Sequence, residues 1–129
     1  GLGDVYKRQT ILVVEDDPRQ MRLIQDLLKV SGYITIAATD GEKGVELAKK
    51  YKPALILMDI MMPKMDGYTA CREIKMDKAT KVIPVVMLTS LGYQLNKELG
   101  KAVGATEYIT KPVDLKKLLD AVHRFLPSS

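Results

Sequence analysis

Ile11-Leu12-Val13-Val14-Glu15-Asp16 decides how this chain is read: four apolar residues followed without a spacer by two carboxylates. A short apolar run rich in β-branched residues reads as a strand covered on both faces. The same arrangement recurs three times. Ala54-Leu55-Ile56-Leu57-Met58 leads to Asp59, Ile83-Pro84-Val85-Val86-Met87-Leu88 to Thr89, and Thr106-Glu107-Tyr108-Ile109-Thr110 to Lys111. If these runs are parallel neighbours, three carboxylates, a hydroxyl and an ammonium meet at one edge of one sheet. Carboxylates that close repel each other unless a cation sits among them. A cluster of hard oxygen ligands suits Mg²⁺, which keeps several waters.

Helical patterns fill the spaces between the runs. Asp17-Pro18 opens the first, with Asp as N-cap and Pro at the first helical position. Met21, Ile24, Leu27 and Leu28 recur at helical spacing, and Gly32 stops it. Tyr33 to Ala37 read as another strand. Asp40-Gly41 opens a helix with Val45, Ala48 and Tyr51 on one side, ended by Pro53. Asp66-Gly67 opens a third, with Tyr68, Cys71 and Ile74. A fourth runs from about Leu95 to Val103 and stops at Gly104. Asp114 caps the last, with Leu115, Leu118, Leu119, Val122 and Leu126 inward. Strands alternating with helices at this spacing imply βαβ crossovers, an α/β fold with a parallel sheet and helices on both faces. Such sheets bind ligands outside the carboxyl ends of their strands.

Composition narrows the function. The chain has 129 residues, 47% hydrophobic and 28% charged, with a formal net charge of +4. That suits one domain able to bury a core without staples. No stretch approaches the ~18 consecutive apolar residues of a membrane span, and no secretory signal is evident. The single Cys71 cannot form an internal disulfide, so a reducing cytoplasm is the natural compartment. The basic residues are mixed with acids, and with one Phe and no Trp there is no basic aromatic stripe for direct nucleic-acid binding. Gly1 to Gln9 have no period and no Met; they read as a disordered lead-in or as cloning- or sequencing-derived, leaving 10–129 as the domain. The chain stops soon after the last helix, so a single unit is expected.

Chemistry at the strand ends follows from residue type. A divalent cation among Glu15, Asp16 and Asp59 would hold phosphate oxygens while the acids stay ionised. Asp59 is the best candidate for the reactive group, because its loop, Asp59-Ile60-Met61-Met62-Pro63, is central to the edge. A carboxylate can attack phosphorus and form an acyl phosphate. Lys111 would neutralise phosphoryl charge as a point cation, and Thr89 could hydrogen-bond a phosphoryl oxygen.

Four motifs together resemble the receiver domain of bacterial response regulators: Ile11-Leu12-Val13-Val14-Glu15-Asp16-Asp17-Pro18, Met58-Asp59-Ile60-Met61-Met62-Pro63-Lys64-Met65-Asp66-Gly67, Val86-Met87-Leu88-Thr89-Ser90 and Tyr108-Ile109-Thr110-Lys111-Pro112. They stand in the right order and spacing, across about residues 10–126. The resemblance implies a flavodoxin-like (βα)5 doubly wound sandwich with a five-stranded parallel sheet in order 2-1-3-4-5. It implies a signalling switch of a two-component system, not an enzyme beyond its own phosphotransfer and autodephosphorylation. Asp59 would be the phosphoacceptor, taking its phosphoryl group from a sensor histidine kinase or a phosphotransfer protein. Mg²⁺, or Mn²⁺, would be held by Asp16 directly, Glu15 through water, Asp59, and the backbone carbonyl of Met61. Thr89 and Tyr108 would be the switch pair, Lys111 the lysine beside the phosphoryl group, and Lys111-Pro112 a cis bond. Phosphorylation would reshape the face of helix four, strand five and helix five, which engages a downstream protein target. The protein would be a monomer or a phosphorylation-dependent dimer. Residues 97–105 and Lys111-Pro112-Val113-Asp114 are similar to stand-alone chemotaxis-like and twitching-motility regulators.

Other readings are weaker. A receiver cut from a longer DNA-binding regulator stays open. A phosphatase of the haloacid dehalogenase type needs a second Asp two residues after the nucleophile, where Met61 stands, and room for a cap insertion. A non-phosphorylated interaction module usually lacks an acid, the Thr or the Lys, and all are present. Asp17, Asp40, Asp66 and Asp114 read as helix caps, and Pro63 and Gly67 as loop-shaping. Met58, Met61, Met62 and Met65 read as packing, Cys71 as a buried hydrophobe, and His123 as a surface residue near a helix C-terminus. Tyr93 is either beside the output face or an ordinary loop aromatic, and Lys97, Lys101, Lys116, Lys117 and Arg124 are a solvated surface by default.

Overall fold

A computed structural model describes residues 9–90 and 101–126. The expected lead-in up to Arg8, Tyr93, Lys97 and the start of the fourth helix lie outside the described residues. Five parallel strands, β1 (Thr10–Val14), β2 (Ile34–Ala38), β3 (Leu55–Asp59), β4 (Val85–Thr89) and β5 (Glu107–Thr110), form one sheet in the order β2-β1-β3-β4-β5. Between them run α1 (Pro18–Val30), α2 (Gly41–Tyr51), α3 (Gly67–Met76) and α4 (described at residues 101–103), and α5 (Leu115–Phe125) follows β5. The expected fold class and strand order are those observed.

Alternation along the three central strands builds two cores. Ile11, Val13, Leu55, Leu57, Val86 and Leu88 face Ile24 and Leu28 of α1 and Leu118 and Val122 of α5. Leu12, Val14, Ile56, Met58, Val85 and Met87 face Val45 and Ala48 of α2 and Cys71 and Ile74 of α3. Every residue of β3 is buried, which explains its lack of any polar–apolar alternation.

The caps read from sequence are in place. The side chains of Asp17, Asp40, Asp66 and Asp114 each accept an N–H from the first turn of the helix that follows. The polar groups at the ends of β1, β3, β4 and β5 meet at one edge because these strands are level there: Val14 is paired with Met58, Asp59 with Leu88, and Thr89 with Thr110. Two details differ from expectation. Asp59 and Thr89 are the last residues of their strands instead of lying beyond them, while Tyr33, Ala54, Ile83 and Pro84 lie before theirs. Pro84 has no N–H to give to a ladder. Tyr51 is 51% exposed instead of facing inward. Helix α2 ends there, Lys52 turns left-handed at φ 45°, and the Tyr51 ring instead lies under the Lys50 ammonium at 5.2 Å. Among the described residues no helix is long and apolar enough to cross a membrane.

Candidate functional site

The carboxyl ends of β1, β3, β4 and β5 bring the expected side chains together. Glu15, Asp16 and Asp59 each offer a carboxylate oxygen, and the three lie within 4.8 Å of one another. Lys111, the residue after β5, reaches over β4 to this cluster. Its Nζ lies 3.1 Å from Glu15 Oε1 and 3.1 Å from Asp59 Oδ2. One ammonium is thus shared by two carboxylates, one just past β1 and one at the last residue of β3. Glu15 and Asp59 are buried, whereas Asp16 is open to solvent.

Backbone bonds aim these groups. The Glu15 N–H donates to the Ala38 carbonyl at 3.0 Å, extending the β1–β2 ladder one residue past the strand. Asp17 does two jobs: its carboxylate caps α1 through the Arg19 N–H at 2.9 Å, and its own N–H donates to Glu15 Oε2 at 3.1 Å. Sequence reasoning found the cap and missed the second bond, because a backbone donor leaves no residue-type signal. Thr89 is buried at the end of β4, and its carbonyl accepts the Lys111 N–H at 2.6 Å. The Lys111-Pro112 bond is cis.

Burial and neighbouring charge act together on the cluster. Burial pushes the Glu15 carboxyl up from its ordinary 4.5 to about 7; the hydrogen bond and charge of Asp59 add to the rise, and the Asp17 N–H and Lys111 oppose it. Burial also works to lower the Lys111 pKa, but its bonds to Glu15 and Asp59 more than reverse this and hold it above its ordinary value. Among the described residues, one cation against three carboxylates leaves the cluster net negative. The donors are hard oxygens at a crowded, partly solvated edge, a chemistry that fits Mg²⁺.

The Glu15 shift sets a pH dependence. A carboxyl that holds its proton more tightly folded than unfolded stabilises the fold below pH 4.5, and that contribution is lost as pH rises through about 7. Metal-free protein is therefore expected to lose melting temperature across this window, and Glu15→Gln to flatten the loss. A Glu15→Gln profile parallel to that of the wild type would place the titration on another group.

Other expected residues stand around the cluster. Met61, two residues past Asp59, is 60% exposed at the lip of the site. Tyr108 is opposite Met87 on β5, packs against the second core, and lines a cavity of about 310 Å³ with Glu107, Thr110, Pro112, Lys117 and Arg124. Cys71 is buried, and burial pushes its thiol up to about 11, as suits an unreactive packing residue. His123 is exposed on the last turn of α5.

Residues 11–123 match the family described as the response regulator receiver domain. The chain belongs to that family. This receiver is 42% identical over 116 residues to the DNA-binding dual master transcriptional regulator RpaA of Synechocystis, covering 90% of this chain and 48% of RpaA. It is 39% identical over 116 residues to Protein PilH of Pseudomonas aeruginosa, covering 90% of this chain and 96% of PilH. It thus spans about half the length of RpaA and nearly all of PilH. Among solved structures it resembles the receiver domain of the Pseudomonas aeruginosa sensor histidine kinase PA1611, which has a magnesium ion coordinated in its active site cleft. The TM-score is 0.86 at 32% identity, over 95% of this chain and 100% of that one. A receiver is a signalling switch of a two-component system, not a conventional enzyme.

Proposed function

We propose that Asp59 is the phosphoacceptor of this receiver, with Glu15, Asp16, Asp59 and the Met61 carbonyl holding Mg²⁺, Glu15 through water. The observation that carries this reading is the Lys111 ammonium at 3.1 Å from both Glu15 and Asp59, inside a cluster of three carboxylates. An Asp59 oxygen attacks the phosphorus of a phosphohistidine. The P–N bond breaks as the P–O bond forms, and the imidazole leaves with the electron pair and takes a proton from solvent. Lys111 holds the Asp59 carboxylate in place and meets the negative charge of the arriving phosphoryl oxygens. The Thr89 hydroxyl donates to one of those oxygens. When bound, Mg²⁺ supplies further positive charge to the same oxygens; Mn²⁺ would fit the same donors.

Thr89 and Tyr108 then form the switch. Drawing the Thr89 side chain toward the phosphoryl group frees space into which the Tyr108 ring turns, changing the α4–β5–α5 face. A charge event at one strand end thereby biases a two-state element some distance away. The donor is a sensor histidine kinase or phosphotransfer protein, and the acceptor of the signal is a protein that docks on that face. The coverage of PilH favours a stand-alone cytoplasmic regulator spanning residues 10–129. The identity to RpaA over half its length favours the receiver part of a longer DNA-binding regulator, and the full-length gene decides between them.

The test is intact mass after incubation with acetyl phosphate. One phosphoryl adduct is expected with Mg²⁺ and none with EDTA. A protein that binds Mg²⁺ yet takes no phosphoryl group from acetyl phosphate or from a phosphohistidine donor would be a constitutive binding module instead.

A further inference from the structure

The loop from β3 to α3, residues 60–66, carries Met61 and is seated between two glycines. On one side is Gly67, whose N–H donates to the Ile60 carbonyl at 2.8 Å. A Cβ there would lie 2.4 Å from the Asp59 carbonyl oxygen and 2.8 Å from the Ile60 Cα. On the other side is Gly41, the buried first residue of α2. A Cβ on Gly41 would lie 2.2 Å from the Met65 carbonyl oxygen and 3.0 Å from its carbon. These neighbours are backbone atoms, so no side chain can rotate away to make room.

Gly67 is explained by the closing of its own loop. Gly41 is on another element, and its φ is outside the left-handed region that would call for glycine. What its bare Cα allows is the approach of the loop to α2. Two features support the seat. Asp40 caps α2 through the Lys43 N–H at 2.8 Å with one oxygen and lies 3.7 Å from Lys64 Nζ with the other. Lys64 itself has a φ of 67°, the left-handed region that non-glycine residues rarely enter, and it turns the chain so that Met65 meets Gly41.

We propose that Gly41 is a positioning residue for the metal site. It lets the loop settle on α2 at the height that presents the Met61 carbonyl to Glu15, Asp16 and Asp59. This rests on the reading of Met61 as a metal ligand. A side chain at position 41 lifts the loop and spoils one ligand while leaving all three carboxylates in place.

The test compares Gly41→Ala with Gly44→Ala, by calorimetric titration with Mg²⁺ and by thermal melting. Gly44 is on the same helix, and the atoms nearest to a Cβ there would be side-chain atoms of Val14, its methyl groups at 3.0 and 3.1 Å, and not backbone. Gly41→Ala is expected to weaken Mg²⁺ binding on the order of tenfold, the scale seen when a group supporting a metal ligand is lost. Gly44→Ala is expected to lower the melting temperature with Mg²⁺ affinity near that of wild type. Wild-type affinity in Gly41→Ala, or losses in both variants that merely track stability, would overturn the proposal. Wild-type protein that binds no Mg²⁺ would overturn the functional reading itself, a separate and visible outcome. If Gly41→Ala does not fold, amide exchange in the wild type answers the same question. Saturating Mg²⁺ should slow exchange of the Lys43 and Gly44 N–H groups at the start of α2; protection confined to the 59–61 segment would overturn the seat.

Discussion

Asp59→Asn is expected to abolish phosphoryl uptake while leaving the domain folded. Asparagine has nearly the shape of aspartate, so the last position of β3 keeps its packing against Leu88 of β4 and its carbonyl can still accept from Lys111. What disappears is the nucleophile, because an amide oxygen does not form an acyl phosphate under these conditions. Loss of a covalent nucleophile costs roughly 10³-fold or more in rate, so intact mass should show no adduct over the time in which wild type saturates. Two side effects have definite signs. Mg²⁺ affinity falls, since one of three carboxylates has lost its charge. The Glu15 pKa falls toward its ordinary value, since Asp59 is among the causes of its rise, and the loss of stability with rising pH becomes shallower. An Asp59→Asn protein that still gained one phosphoryl group at the wild-type rate would move the acceptor to Asp16, the solvent-open acid of the cluster.

The framework of this site is readable in sequence for a physical reason. Buried parallel strands must be apolar throughout, so the first polar residue after the β1, β3 and β4 runs marks the edge where ligands bind, and Glu15, Asp59 and Thr89 are found there; Lys111 follows β5, an edge strand of which only Ile109 is buried, and is placed by its position after that strand. Caps are readable for the same kind of reason. An aspartate just before a helix is well placed to cap it, and Asp17, Asp40, Asp66 and Asp114 all do so. Periodicity fails where a helix ends: Tyr51 continues the α2 pattern, but the left-handed Lys52 leaves it outside the core. Contacts between distant backbones are invisible for a different reason. That Gly41 lies under the Met65 carbonyl depends on how two segments meet, and no residue type encodes it; the Asp17 N–H that holds Glu15 is local but is a backbone donor, which leaves no residue-type signal either. Nor does sequence say which acids Lys111 joins, since all three candidates stand at the same edge.

Lys111→Met is expected to separate metal binding from phosphotransfer, moving them in opposite directions. Methionine preserves most of the apolar stem and removes the ammonium. Glu15 and Asp59 then lose the cation that both contact at 3.1 Å. The cluster becomes more negative, so Mg²⁺ should bind at least as tightly as in wild type and raise the melting temperature more. Without metal the variant should be less stable, because two buried carboxylates are left facing each other without Lys111, and the Glu15 pKa should climb further. Phosphotransfer should nevertheless slow. The ammonium is a fixed positive charge beside the atoms on which negative charge builds, in a site partly shielded from water, and removing one such donor typically costs about 10²–10³-fold. Paired measurements of Mg²⁺ affinity and phosphorylation rate on Lys111→Met decide this. Slower transfer with tighter or equal Mg²⁺ binding assigns Lys111 to the phosphoryl group. Slower transfer with weakened Mg²⁺ binding would mean that the lysine mainly holds the carboxylates in position to receive the metal, and that its contribution to transfer is indirect.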